Sequence, residues 1–470
     1  MIPVITPAQA RAADAAAGVP VEVLIERAGA AVARVAVEML GGTYGRRVLV
    51  LAGPGANGAD GRVAARILAG RGVWVRVVDI GGRTDDRVPA DIAEVVAPTT
   101  GPIHLVIDAV FGTGVRPGWR PPSVGDVPVL AVDLPSGLDP MTGVADSVLA
   151  ATRTVTFQAM KPGLLFGDGP DVAGEVTVVD IGLSFGHDVG ATYAELVEED
   201  DVVSWLAPRP RTADKWSAAV RVVAGSPGML GAAALTGGAA LRAGSGMVRL
   251  SSLGGTAPTP TEAVHQPLVD DVWSDIVLED LHRFAALVIG PGLGRAGTTP
   301  AEVASTVFRS GLPVVVDGDG LFALTWNPHG SPTSLLRREP ATVLTPHDGE
   351  FRTLTGELPE ADRIAAANRL VADTGAVVLL KGPTTVVAGP DGRTRLIASG
   401  DERLATAGTG DVLAGIIGAL LARGLSAGRA AAAGAWIHGR AVRSLPAAGV
   451  TAGDVLAAVG TVFAELGSGR

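Results

Sequence analysis

A chain of 470 residues with 47% hydrophobic and 4% aromatic side chains exceeds the usual limit of one core and predicts two aliphatic-cored domains. Its formal net charge of −10 argues against nucleic acid or an anionic membrane surface as a partner. The absence of cysteine excludes disulfides, thiolate zinc sites and thiol nucleophiles.

No basic segment leading into an apolar one opens the chain, and no apolar run approaches the roughly 20 residues of a membrane helix, so a cytoplasmic setting without a membrane partner is expected. Helical spacing runs over residues 6–40, with Thr6 and Pro7 as N-cap and first helical residue. Strands are then predicted at 48–52, 73–80, 105–110, 129–132, 154–157 and 176–180. Helices at about 58–70 and near 90–97 separate them. The continuous apolar character of these runs predicts a parallel sheet buried on both faces. The acidic residues Glu198 to Asp201, followed by Pro208-Arg209-Pro210-Arg211, mark a boundary between domains 1–205 and 206–470. A second β/α series has strands at 220–224, 287–289, 313–316, 342–344 and 377–380, and an apolar run at 412–421 reads as a buried helix. Lysine occurs only as Lys161, Lys215 and Lys381. With arginine as the general surface cation, each is a candidate point charge; Lys161, at a strand end, reads as solvated.

Ligands of open α/β sheets bind at the carboxyl ends of strands, and both series carry glycine and polar residues there. In the first, Gly53-Pro54-Gly55-Ala56-Asn57-Gly58-Ala59-Asp60-Gly61 opens a helix, and Asp108 to Gly114 and Asp133 to Asp139 follow two further strands. Asn, Asp and Ser oxygens with loop carbonyls can form an all-oxygen site, better suited to a large monovalent cation than to a transition metal. In the second, such ends are Gly225 to Gly228, Gly290-Pro291-Gly292-Leu293-Gly294, Asp317-Gly318-Asp319, Thr345-Pro346-His347-Asp348-Gly349-Glu350 and Lys381-Gly382-Pro383-Thr384-Thr385. Last comes Thr406-Ala407-Gly408-Thr409-Gly410-Asp411, where a helix start offers an anion site. Asp411 there suits a base that takes a proton from a hydroxyl attacking a phosphoryl group, or a capping residue of a glycine-rich turn. No Gly-Lys dipeptide exists, so a Walker A loop is absent.

Thr-Pro-His-x-Gly-Glu, Lys-Gly-x-x-Thr and Gly-Thr-Gly-Asp resemble the ribokinase-type superfamily, and within it the ADP- or ATP-dependent NAD(P)H-hydrate dehydratases, over roughly residues 212–465. The loops of the first half resemble the NAD(P)H-hydrate epimerase domain over roughly residues 5–205. The resemblance implies a Rossmann-like three-layer α/β/α domain followed by a ribokinase-like one, a homo-oligomer, and repair of hydrated NADH and NADPH (NADHX and NADPHX). It implies that Lys381, Gly382, Pro383, Thr384, Thr385 and Gly410 contact ADP or ATP with Mg²⁺, and that Glu350 helps place the metal. Ala232, Gly292, His347 and Asp411 would contact the hydrate, with Asp411 as base. In the epimerase domain, Asn57, Asp108 and Ser136 would hold K⁺. The substrate would lie against Ala56, Asn57, Gly58, Ala59, Asp60, Gly112, Thr113, Gly114, Val115, Arg116, Pro117, Gly118 and the catalytic Asp133. Ala56, Ala59 and Ala407 depart from the family pattern, as do Asp214-Lys215-Trp216 and Asp317-Gly318-Asp319-Gly320. A ribokinase-type kinase of another small molecule, joined to a noncatalytic nucleotide-binding module, is the alternative reading.

Overall fold

The computed structural model describes residues 1–80, 102–114, 119–183, 192–254, 260–325 and 338–468. The helix expected near 90–97 and the site residues Val115, Arg116, Pro117 and Gly118 lie outside them. Two compact units divide the chain, Ile2–Tyr193 and, together with Met1, Ala194–Arg470.

The first unit opens with β1 (Ile2–Val4), whose Val4 bridges Met160 in parallel. The predicted helical stretch is two helices, Pro7–Ala16 and Val21–Leu40. Thr6 caps the first, accepting from the Gln9 N–H while the Gln9 side chain accepts from the Thr6 N–H. β2 (Arg47–Ala52), β3 (Trp74–Asp79), β4 (Leu105–Ala109), β5 (Val129–Val132), β6 (Arg153–Phe157) and β7 (Glu175–Val179) form a parallel sheet in the order β3-β2-β4-β5-β6-β7. Two apolar clusters cover its faces, one built with Val32, Val35, Ala64 and Leu68, the other with Leu49, Val106 and Trp119. The sequence reads the run at 73–80 as a buried strand, yet β3 mixes exposed and half-buried residues because it is an edge of the sheet, and Trp74 is 42% exposed. The strand order reverses at β2, so the loops after β2 and β4 flank a crevice.

The boundary expected at 205/206 lies instead at Tyr193/Ala194, because β8 (Ala194–Leu196) pairs with a strand of the second unit; β8 and the helix Glu199–Trp205 precede the proline-bearing segment within that unit. The strands β9 (Ala219–Val223), β10 (Met247–Ser251), β11 (Val264–His265), β12 (Ala286–Ile289), β13 (Val314–Val316), β14 (Thr342–Leu344), β15 (Val377–Leu380), β16 (Thr385–Ala388) and β17 (Thr394–Ile397) follow. They pair in the order β8-β17-β16-β15-β14-β13-β12-β9-β10-β11, parallel except where β16 runs against β15 and β17. This order reverses at β9, again opening a crevice between the loops after β9 and β12. The helices Leu230–Arg242, Thr409–Ala422, Ala427–Val442 and Ala452–Ser468 contribute to one alanine- and leucine-rich core. Among the described residues, no helix is long and apolar enough to cross a membrane.

Two candidate active sites

In the first unit the crevice is a cavity of about 370 Å³ whose lining includes Ala56, Asn57, Asp60, Gly112, Thr113, Gly114, Asp133 and Lys161. Ala56 to Asp60 form the first turn of the helix Ala56–Gly70, so Asn57 and Asp60 share a face while Gly58 turns inward. A Cβ at Gly58 would come within 1.9 Å of the Gly53 carbonyl oxygen, so only glycine lets this turn close. Asp133 has φ +67, and Gln158, also on the cavity wall, has φ +63. They are the two non-glycine residues with positive φ among the described residues, and strain of this kind, roughly 1 kcal/mol or more each, gathers at functional sites.

Lys161 corrects the sequence reading. Instead of a solvated charge it is 3% exposed, with Nζ 2.5 Å from Asp133 Oδ1 and 2.9 Å from Thr156 Oγ1. Met160-Lys161-Pro162-Gly163 also resembles the corresponding segment of the epimerase domain, and lysine is scarce in the chain, but neither signal names the partner. Asp60 is 7% exposed, and burial, then the charges of Asp133 and Asp14, push its carboxyl up to about 8. Asp14 reaches the same cavity from the helix Pro7–Ala16, a contribution that helical spacing gave no reason to expect. Burial raises its carboxyl too, against the pull of Lys161.

Asp108 and Ser136 lie beneath the cavity. The Asp108 carboxylate accepts from the Ser136 N–H at 2.8 Å, the Ser136 hydroxyl at 2.6 Å and the Val110 N–H at 3.3 Å. Burial nevertheless lifts its carboxyl to about 6. Asn57 Oδ1 lies 3.4 Å from where a Gly112 Cβ would stand, and its buried Nδ2 has no hydrogen-bond partner. The donor chemistry of Asn57, Asp108 and Ser136, oxygens with one formal charge among them, is that of a monovalent rather than a divalent cation site.

The raised carboxyls have a consequence for the unliganded protein. A carboxyl whose folded-state pKa lies above its ordinary 3.8 stabilises the fold below that value, and the stabilisation is lost as pH rises through about 8 for Asp60. The melting temperature is therefore expected to fall by several degrees between pH 5 and pH 8.5 in calorimetry. Asp60→Asn, which mimics the protonated form, should flatten much of that slope.

In the second unit Lys381, at the end of β15, is the electrostatic centre. Its Nζ lies 3.0 Å from Asp317 Oδ1 and 3.4 Å from Glu350 Oε2. Burial opposes its charge, but Asp317 and Glu350 outweigh burial and raise its pKa. Thr345 donates to Asp317 Oδ1 at 2.6 Å, fixing the carboxylate from the neighbouring strand end. A Cβ at Gly410 would stand 3.5 Å from Lys381 Nζ and 3.9 Å from Asp317 Oδ2, so the two loops meet here. Asp317, from the Asp317-Gly318-Asp319 strand end, is thus a 3% exposed member of the site. Of the other nucleotide candidates, Thr384 is buried, Thr385 half-buried and Gly382 and Pro383 exposed.

His347 caps the helix Asp348–Thr355, its Nδ1 accepting from the N–H groups of Gly349 at 3.0 Å and Glu350 at 3.3 Å. That fixes the tautomer with the proton on Nε2. Glu350 Oε2 accepts from the His347 N–H in return, which also positions the carboxylate beside Lys381. Ala232 and Gly292 meet across the other crevice wall: a Cβ at Gly292 would lie 2.8 Å from that of Ala232.

The helix Thr409–Ala422 begins at Gly408 with φ +92, a conformation suited to glycine, and the Thr409 hydroxyl donates to the carbonyls of Leu404 and Thr406. Asp411 follows in its first turn. Burial, then Asp317, push its carboxyl up to about 7 against the pull of Lys381. The arrangement can hold a polyanion between helix start and ammonium while a carboxyl titrating near neutrality exchanges a proton beside it. Asp214 and Lys215 stand apart on the surface, Lys215 over the Trp216 ring at 5.7 Å.

Fold and residue clusters together define a two-domain α/β protein with a candidate ligand site at the strand ends of each sheet. The NAD(P)H-hydrate dehydratase family model matches residues 220–459, and the YjeF-related protein N-terminus model matches residues 21–163. A bifunctional NAD(P)H-hydrate repair enzyme of Mycobacterium leprae is 40% identical over 93% of this chain and 92% of its own length. One of Escherichia coli is 35% identical over 86% and 81%. A ribokinase-like superfamily protein of Enterococcus faecalis, 19% identical, covers 58% of this chain and 96% of its own with a TM-score of 0.50, and shows the fold of the second unit. The chain belongs to the family of bifunctional NAD(P)H-hydrate repair enzymes.

Proposed function

We propose that this chain repairs hydrated NADH and NADPH in two steps, one per unit. The first interconverts the R and S epimers; the second dehydrates the S epimer at the expense of ADP or ATP through a phosphorylated intermediate. The observation that carries the reading is Asp411, a carboxyl poised near neutrality at a helix start, beside the Lys381–Asp317–Glu350 cluster. Asp411 would take the proton of the hydrate hydroxyl as its oxygen attacks the terminal phosphoryl group, and the nucleotide leaves with one phosphate fewer. Departure of phosphate with a ring proton then restores the dihydronicotinamide. Lys381, the Lys381–Thr385 segment and the N–H groups around Gly410 would hold the nucleotide phosphates. Glu350 would help hold Mg²⁺, which when bound with nucleotide offsets phosphate charge. His347, Ala232 and Gly292 would orient the nicotinamide end.

In the first unit Asp133 would accept the proton of the same hydroxyl in the R epimer. The ring carbon bearing it is also bonded to nitrogen. Opening that bond, with the proton passing from Asp133 to the nitrogen, gives an aldehyde and an enamine; closure on the other face, with the proton taken back from nitrogen and returned to the oxygen, inverts the centre. Asn57, Asp108 and Ser136, with loop carbonyls from Gly112 onward, would hold K⁺, which when bound steadies the loops and offsets substrate phosphate charge. One assay tests both halves: an R/S mixture of NADH hydrate is incubated with protein, Mg²⁺ and ADP or ATP, and dihydronicotinamide absorbance is followed. Recovery beyond the S fraction, faster than spontaneous epimerisation, is expected. Recovery that stops at the S fraction refutes the epimerase half, and no recovery refutes the dehydratase half.

A further inference from the structure

We propose that Lys161 is a positioning residue of the epimerisation site, clamping Oδ1 of Asp133 so that Oδ2 alone is presented to substrate. This rests on the epimerase reading of the first unit. Oδ1 accepts from Lys161 Nζ at 2.5 Å and from Thr156 Oγ1 at 3.1 Å. The other oxygen, Oδ2, lies 3.0 Å from where a Cβ of Gly112 would stand, a position also 3.4 Å from Asn57 Oδ1. One carboxylate oxygen is therefore bound into the protein, and the other faces the cavity wall built by the substrate loops.

Although Lys161 lines the cavity, its ammonium has three N–H bonds and four protein acceptors. Besides Asp133 Oδ1 it reaches Thr156 Oγ1 at 2.9 Å and the carbonyls of Phe157 and Ala159, both at 3.3 Å. No donor is left over for a ligand, so Lys161 acts through Asp133. The three extra contacts come from the end of β6 and the turn after it, and keep the ammonium on Asp133 although Asp14 and Asp60 share the cavity. Backbone bonds pin both ends of the pair. The Asp133 N–H donates to the Val155 carbonyl at 2.7 Å, holding the left-handed residue in place. The Met160 N–H donates to the Pro3 carbonyl at 2.9 Å, and the Met160 carbonyl accepts from the Ile5 N–H at 3.0 Å. Strained backbone and a clamped carboxylate serve one end: a single oxygen aimed at one spot.

The test uses the full chain. Lys161→Met is expected to lower the epimerisation kcat about 100-fold, the lower range for a positioned acid–base group, with KM moving less than about threefold. Because the pair is buried, Lys161→Cys provides the second arm. The native chain has no cysteine, so bromoethylamine alkylation of the unfolded variant followed by refolding restores an ammonium at this position alone. Aminoethylation is expected to return at least about a tenth of the native kcat, which lost packing would not explain. A Lys161→Met variant with kcat within about threefold of native overturns the proposal. So does a rise in KM at constant kcat, which would mean that Nζ binds substrate directly, or an aminoethylated, refolded protein that stays inactive. Failure of the unmodified chain to interconvert the epimers refutes the epimerase reading itself, so the two failures are distinct.

Discussion

Asp411→Asn is expected to reduce nucleotide-dependent dehydration of the S epimer by about 10² to 10⁴-fold, the range for loss of a general base, while epimerisation by the same protein is unchanged. The substitution keeps the shape and hydrogen-bonding capacity of a protonated Asp411, the form that burial and Asp317 favour below about pH 7. It should therefore cost no stability, and it should stabilise the unliganded protein increasingly from about pH 4 to about pH 7, where the unfolded chain's carboxyl is ionised while the folded one is still protonated. Asn cannot accept the hydroxyl proton, so kcat should fall with little change in the KM for nucleotide, whose proposed contacts are Lys381 and the helix start. In the native protein kcat/KM should decline below about pH 7, as the free enzyme's base becomes protonated. Stopped-flow absorbance at saturating nucleotide measures both. Dehydration by Asp411→Asn within tenfold of native would remove Asp411 from the base role and leave it as the cap of a glycine-rich turn.

Strand ends were where the sequence spoke most clearly. Apolar runs such as Val129–Val132, Thr342–Leu344 and Val377–Leu380 stand in the structure with the bounds they had in the sequence, because continuous apolar residues between turn formers leave little choice of element. β16 and β17 escaped notice since they are short strands that follow β15 antiparallel to their predecessors, β16 against β15 and β17 against β16, a feature of pairing rather than of periodicity. The burial of β3 was misjudged for a similar reason: its apolar residues read as core, but only the strand order makes it an edge. Site residues that announce themselves by motif, such as Asn57, Asp133 and Lys381, were legible. What chain pattern could not supply was their partners. Thr156 and Lys161 reach Asp133 by folding the end of β6 back toward β5, and Asp317 reaches Lys381 across 64 residues of sequence. Both pairs join a carboxylate to one of only three lysines, so the scarcity of the residue was a better guide than its local context.

Asp133→Asn should remove R-epimer consumption by a comparable 10² to 10⁴-fold, roughly the worth of a positioned base, and leave dehydration of the S epimer intact. Asparagine is preferred to alanine here on two physical grounds. At φ +67 an alanine pays roughly 1 kcal/mol or more of backbone strain, whereas asparagine tolerates the left-handed region. Alanine would also strand the Lys161 ammonium, and removing one member of a buried ion pair costs about 3 to 5 kcal/mol. Asparagine keeps an oxygen facing Nζ and so separates chemistry from collapse. In the mixture assay with ATP, the variant should consume the S fraction at the native rate and then slow to spontaneous epimerisation, with the residual R epimer resolved by chromatography. Asp133→Ala, by contrast, should lose R-epimer consumption and also melt several degrees lower, the thermal signature of an ammonium left without its carboxylate. An Asp133→Asn variant that still clears the R epimer within about threefold of the native rate would move the base to another carboxylate of the cavity, Asp60 or Asp14, and with it the purpose of the Lys161 clamp.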